Sequence, residues 1–131
     1  MSLADARAAV GARFRLHGRD PATGLDCIGL VAWSLAAIGR PVRTPMHYGL
    51  RNSDIAEALA FVPAWGLRDT TAPARPGDVL LALTGSLQHH LLIAGPRGAF
   101  IHAHAGLRRV VATPGPLTWP ILRHWRLAAP N

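Results

Sequence analysis

Cys27 is the only cysteine among 131 residues, and it opens an apolar run, Cys27 to Ile38, behind a loop-like His17-Gly18-Arg19-Asp20-Pro21-Ala22-Thr23-Gly24. The run predicts a buried helix with the thiol in its first turn, where the positive end of the helix dipole favours thiolate over thiol. A nucleophilic thiol still needs a base, because an unperturbed one is only a few per cent ionised at neutral pH. His89, His90, His102 and His104 lie close enough in sequence to share one hairpin. A thiol, an imidazole and a second polar group that fixes the imidazole tautomer can together carry out acyl transfer. Two other readings use the same residues. A lone cysteine can be a small buried apolar side chain, and the His89-His90 and His102-x-His104 pairs have the spacing of metal ligands. For the metal reading a third ligand is hard to find, since Asp78 belongs to a turn.

The elements that must position these groups follow from periodicity. Leu3, Ala6, Val10 and Phe14 predict an opening helix over Leu3 to Phe14 that Ser2 can cap, with Gly11 as its weak point. Gly39-Arg40-Pro41 ends the second helix. The connection from Pro41 to Arg75 is too long for plain loop, and a short helix is expected over Asp54 to Phe61, started by Ser53 or Asp54, with the remainder on the surface. After Arg75-Pro76-Gly77-Asp78 the pattern changes to strands: Val79 to Leu83, His90 to Ala94, Ala99 to Ala103, Arg109 to Ala112 and Ile121 to Leu127. If the second and third pair through Gly95-Pro96-Arg97-Gly98, His90 and His102 fall almost opposite each other. Alternation then turns His89 away from His90 and sets His104 on the side of His102. Helices followed by an antiparallel sheet make an α+β domain, and the length allows one, over residues 1–131.

Composition narrows the chemistry further. Half of the chain is hydrophobic and 16% charged, which describes a folded domain. All 14 basic residues are arginine. The absence of lysine removes the Walker A lysine, Schiff-base chemistry and Ser-Lys dyads together. The net charge of +7 favours a polyanionic partner, but the arginines are scattered without a basic arm, so neither a nucleic-acid module nor a membrane partner is expected. One cysteine excludes an internal disulfide and a multi-cysteine zinc cluster. Met1 to Arg15 lacks a signal-peptide core, and no apolar run approaches the roughly 20 residues that span a bilayer.

Four segments in order, Gly24-Leu25-Asp26-Cys27-Ile28-Gly29-Leu30-Val31, Arg75-Pro76-Gly77-Asp78-Val79-Leu80, His90-Leu91-Leu92-Ile93 and Phe100-Ile101-His102-Ala103, resemble the NlpC-type cell-wall peptidases of papain-like fold. The D-C-x-G-L-V block is the specific part of this resemblance, and P-G-D alone is a common turn. The likeness implies an α+β NlpC-type fold with the nucleophile at a helix N-terminus packed on a C-terminal antiparallel sheet. It implies Cys27 as nucleophile, His90 as general base and acid, and His102 as the residue orienting His90, with no cofactor and no metal. His89 competes with His90, but Ile93 three places after His90 fits the family's His-x-x-Ile pattern. Asp26 and Asp78 are then structural.

Two departures stand out. The family often carries a tyrosine about a dozen residues before the cysteine, and here the nearest equivalent is Phe14, so the oxyanion would depend on backbone N–H groups including that of Cys27, with His17 or another loop residue contributing. Ile28 replaces the usual serine. The connection containing His47-Tyr48-Gly49 resembles the subset of the family encoded with phage-like tails. The implied function is hydrolysis of an amide in peptidoglycan stem peptides, next to a D-glutamyl residue, by a chain made in the cytoplasm and carried to the periplasmic wall in a phage or tail-like particle. Tail structural proteins are then its further partners. The competing readings are an amidase or acyltransferase on the same fold, a catalytically weak tail- or wall-binding protein, and a metal-dependent hydrolase.

Overall fold

A computed structural model describes residues 3–45, 59–85 and 88–128. The chain opens with a 3₁₀ segment, Leu3–Ala9, followed by a two-stranded ribbon of β1 (Arg19–Asp20) and β2 (Gly24–Leu25) and then helix α1 (Cys27–Ala37). Another 3₁₀ turn, Val62–Trp65, leads to β3 (Leu67–Asp69), β4 (Val79–Gly85), β5 (Gln88–Ala94), β6 (Ala99–His104), β7 (Arg109–Pro114) and β8 (Ile121–Leu127). The last six strands form one antiparallel sheet in the order β3-β8-β4-β5-β6-β7. The final strand therefore crosses back to lie beside β4 rather than beside β7. α1 packs on the opening 3₁₀ segment, β5 and β6, burying Ile28, Leu30, Val31 and Leu35 against Leu91, Ile93, Ile101 and Ala103. Among the described residues no helix is long and apolar enough to cross a membrane.

The predicted strands all occur, each within two residues of its expected ends. The opening helix does not reach Phe14. Gly11 adopts φ +95°, and the segment beyond it is extended: Gly11 N–H donates to Val110 O, Val110 N–H to Ala12 O, and Arg13 and Phe14 bridge to Arg109 and Leu25. Hydrogen bonds to β7 and β2 thus override the helical spacing of Val10 and Phe14. The connection before Arg75 is not all surface either. Trp65 is 2% exposed, its indole N–H donates to Arg43 O, and Leu67 begins an edge strand on β8. The expected Asp54 helix, its Ser53 or Asp54 start, the Ser2 cap and the His47-Tyr48-Gly49 motif lie outside the described residues, apart from the end of that helix near Phe61.

Two buried aspartates tie the layers together. Asp26 caps α1 by accepting from Gly29 N–H at 2.7 Å, and its carboxylate also takes the His17 N–H and the Arg19 guanidinium. Asp78 accepts from Arg75 N–H, from both arms of the Arg126 guanidinium and from His124 Nε2, which fastens the turn before β4 to β8. Gly29 explains the glycine of the D-C-x-G-L-V block. A Cβ there would overlap the Gly18 carbonyl oxygen, so the first turn of α1 sits directly on loop backbone that cannot swing aside. Gly29→Ala is therefore expected to lower stability by about 2 kcal/mol, read from urea unfolding. An unchanged midpoint would contradict that contact.

Candidate active site

The β5–β6 ladder is short. It runs through Ile93 opposite Ile101 and Ala94 opposite Phe100 and then stops. On β5 the N–H groups alternate in direction: Ala94 N–H donates toward β4, to Asp78 O, and Gly95 N–H toward β6, to Ala99 O. By the same alternation Leu91 N–H points at β6, past the last ladder pair. Together with the Ile28 N–H, the Leu91 N–H acts on the Cys27 thiol in the direction that favours thiolate. α1 packs on both β5 and β6, and beyond the last ladder pair His90 lies on β5 and His102 on β6. Cys27 itself is partly exposed.

The register also refines the expected relation between the imidazoles. Extended past Ile93, it sets His102 opposite Leu92, so His90 is its diagonal neighbour rather than its direct partner. The same diagonal continues into β7, where His102 faces Val111 and reaches Thr113 two residues on. His90 Nε2 lies 2.8 Å from His102 Nδ1, and His102 Nε2 lies 2.7 Å from Thr113 Oγ1. His102 is fully buried. Trp119, from the loop before β8, stands edge-on to both rings, 6.3 Å from His90 and 5.8 Å from His102 between centroids. His104 is on the His102 side, 5.6 Å away, and its Nδ1 accepts from Leu107 N–H. His89 pairs with Leu83 on the ladder to β4, and alternation turns it from His90.

Thr113 and Trp119 escaped the sequence reading. Thr113 lies just beyond the predicted end of its strand, and its relation to His102 depends on a register that composition does not encode. Trp119 sits in a Pro-rich loop with no periodicity to mark it. Arg19 was a third omission. Its guanidinium holds Asp26, Gly18 O, Thr44 Oγ1 and Pro45 O, joining the ribbon, the helix cap and the following loop. Among the described residues no group of three or more His, Cys, Asp or Glu side chains is placed to hold a metal ion.

The electrostatics differ from the dipole expectation. Burial, followed by the adjacent Asp26 carboxylate, pushes the Cys27 thiol up to about 12 against the Leu91 and Ile28 N–H groups and Arg19. Burial, then the charges of His102 and His104, takes His90 down to about 3, and burial followed by His104 takes His102 down to about 4. Thiol and imidazole are both held neutral. Burial alone would raise Asp78, but Arg126, Arg75 N–H and His124 outweigh it and hold that carboxyl below its ordinary range.

Neither a protein-family model nor a curated protein matches the sequence. Solved structures do match. NlpC2 from Trichomonas vaginalis aligns with a TM-score of 0.68 at 19% identity over 95% of this chain, which spans only 44% of that protein. The NlpC/p60 domain of the peptidoglycan hydrolase SagA aligns at 0.57 and 23% identity over 86% of this chain and 85% of that one. The peptidoglycan hydrolase RipB from Mycobacterium tuberculosis aligns at 0.57 and 18% identity, covering 96% and 67%.

Two predictions follow from the charges. Asp26→Asn removes the carboxylate that raises the thiol, so the alkylation rate of Cys27 by iodoacetamide should rise at fixed pH, with its pH profile moving to lower values. A profile that stays in place or moves upward would contradict the assignment. His90 and His102 are neutral in the fold but titrate near 6.5 once unfolded. Protons are then taken up preferentially by the unfolded chain as pH falls. Stability should therefore decline from about pH 6.5 toward 4 and 3, and further as Asp78 is protonated, whose contribution is complete above roughly 3.9. Thermal unfolding across pH 3–8 reads this, and a constant midpoint from pH 7 to 4 would refute it. The α1 tip, the open β5–β6 ladder and the crossing β8 together make this chain an α+β protein of the NlpC/P60 fold.

Proposed function

We propose that the chain is a cysteine peptidase that hydrolyses an amide in peptidoglycan stem peptides, with Cys27 as nucleophile, His90 as base and acid, and His102 as the residue that orients His90. The observation that supports this is the His90–His102–Thr113 chain of hydrogen bonds on the sheet against which α1, opened by Cys27, packs. The peptidoglycan hydrolases SagA and RipB share this fold, which supports the substrate class.

The relay of hydrogen bonds has a direction that leaves a base available. With His102 Nε2–H donating to Thr113 Oγ1, His102 Nδ1 accepts from His90 Nε2–H, and His90 Nδ1 keeps its lone pair. Attack by Sγ on the carbonyl carbon is then coupled to transfer of the thiol proton to His90 Nδ1. The resulting imidazolium protonates the leaving nitrogen as the C–N bond breaks. Water, deprotonated by His90, cleaves the thioester, and the proton returns to Sγ. The Cys27 N–H, in the first turn of α1, lacks a carbonyl within the helix and is positioned for the oxyanion. Phe14 supplies no hydroxyl to assist it.

The high thiol pKa and Phe14 favour one second reading, a wall-binding protein with little turnover. Carriage in a phage-like tail is a further part of the proposal, resting on the resemblance of the connection before Arg75 and tested by co-purification with particles. Hydrolysis is tested with purified muropeptides. Cys27→Ala and His90→Ala should each reduce fragment release at least about 1,000-fold, consistent with loss of an acyl-transfer nucleophile or its base. The acid limb of kcat/KM should lie well below pH 6.5, because that limb reports the free enzyme's base. Equal turnover by native chain and Cys27→Ala would eliminate the peptidase.

A further inference from the structure

Four exposed arginines gather at one edge of the molecule. Arg13 and Arg109 are direct cross-strand partners, so their side chains share a face. Arg15 is two residues from Arg13 in the same extended segment and returns to that face, while Phe14 between them packs toward the core. Arg108 precedes Arg109, and its carbonyl accepts from Phe14 N–H. Among the described residues none of these four guanidiniums forms an ion pair with a carboxylate; the arginines so paired are Arg19, Arg123 and Arg126.

This arrangement costs the fold something. Like charges directly opposite on neighbouring strands repel, and Arg108 holds φ +59°, a conformation that favours glycine or asparagine. Neither cost is relieved inside the protein. Both chain segments that build the patch continue directly into the proposed centre: Phe14 bridges to Leu25, two residues before Cys27, and the turn before Arg108 begins at His104, beside His102. Val10 and Leu107, 45% and 57% exposed, flank the patch with apolar surface.

We propose that Arg13, Arg15, Arg108 and Arg109 form a binding surface for the carboxylates of stem peptides adjoining the one being cut, holding the protein on its anionic polymer. This rests on the peptidoglycan reading above. Guanidinium pairs a carboxylate through two parallel hydrogen bonds, and a ligand that repeats its carboxylates can occupy several arginines together. Nucleic acid would satisfy the same charge, but it has no continuation into a thiol-imidazole site.

The test measures co-sedimentation of the full chain carrying Cys27→Ala with purified sacculi, with and without Arg13→Glu and Arg109→Glu. Circular dichroism checks that the exposed substitutions leave the fold intact. The reversal should weaken retention at least roughly tenfold, and retention by the parent should fall steeply with salt. Sacculi whose carboxyls have been amidated should lose retention of the parent chain as well. Retention indifferent to charge reversal or to amidation would overturn the proposal, as would tighter binding of the parent to duplex DNA than to sacculi. With Cys27 intact, the double variant should cleave a small soluble muropeptide at the native rate, and reduced cleavage would place these arginines in the reaction itself. Absence of cleavage by the native chain would overturn the hydrolytic reading alone, since retention is measured without turnover.

Discussion

The Leu91 N–H is a buried donor whose strand partner is missing. A backbone N–H left unpaired away from water costs about as much as a lost hydrogen bond, and here the N–H acts on the Cys27 sulfur of another element, favouring its thiolate. That interaction fixes several other features. The helix must arrive with its first residue at the strand opening, so the Asp26 cap has to be settled from behind by His17 N–H and Arg19. The first turn must also pass close to the Gly18 carbonyl, which leaves no room for a side chain at position 29. Opening the β5–β6 ladder has a further effect: it frees the diagonal along which His90, His102 and Thr113 meet. Helix position and imidazole alignment are thus two consequences of one interrupted ladder.

The charge state of the centre shows which of two opposed effects prevails. A helix dipole contributes up to about 1 kcal/mol to an anion at its N-terminus, less than a tenfold change in thiolate population. Against it, burial and the neighbouring Asp26 carboxylate carry the thiol from 9.0 to about 12. The residue that caps the helix is itself an acid, and its charge opposes a thiolate beside it. The imidazoles are neutral for the related reason that burial penalises the charged form, with Trp119 edge-on to both rings and His102 fully enclosed. Such a centre stores no separated charge at rest. In the proposed reaction, transfer of the thiol proton to the imidazole therefore accompanies attack.

What the sequence made legible follows the range of the physics involved. Strands β4 to β8 were readable because alternation and Gly/Pro turns are local, and α1 because an apolar run closed by Gly39 has few other folds available. The spacing of Phe14 is helical, whereas its N–H goes to the Arg108 carbonyl and its neighbours Arg13 and Arg15 exchange hydrogen bonds with Leu25, far along the chain. The same reason hides Thr113: a threonine in an edge-ward strand becomes a hydrogen-bond partner of His102 only through register. Leu67 was missed because a three-residue strand has too few positions to show alternation. Cys27, His90 and His102 were identifiable by type and spacing, but their diagonal geometry and their neutral state depend on burial and long-range pairing.

Asp26, Asp69 and Asp78 are each paired with one arginine, Arg19, Arg123 and Arg126, and two of these pairs lie under the centre's scaffold. A buried pair of this kind is retained more for the geometry it enforces than for net stability, and here the geometry enforced is the height of α1 and the seating of β8 on β4. Asp26 and Asp78 are buried in this fastening, whereas the Asp69–Arg123 pair is exposed. The net charge of +7 is the excess of arginine over acid in the sequence, and two of the exposed arginines, Arg13 and Arg109, stand opposite each other where the extended N-terminal segment meets β7.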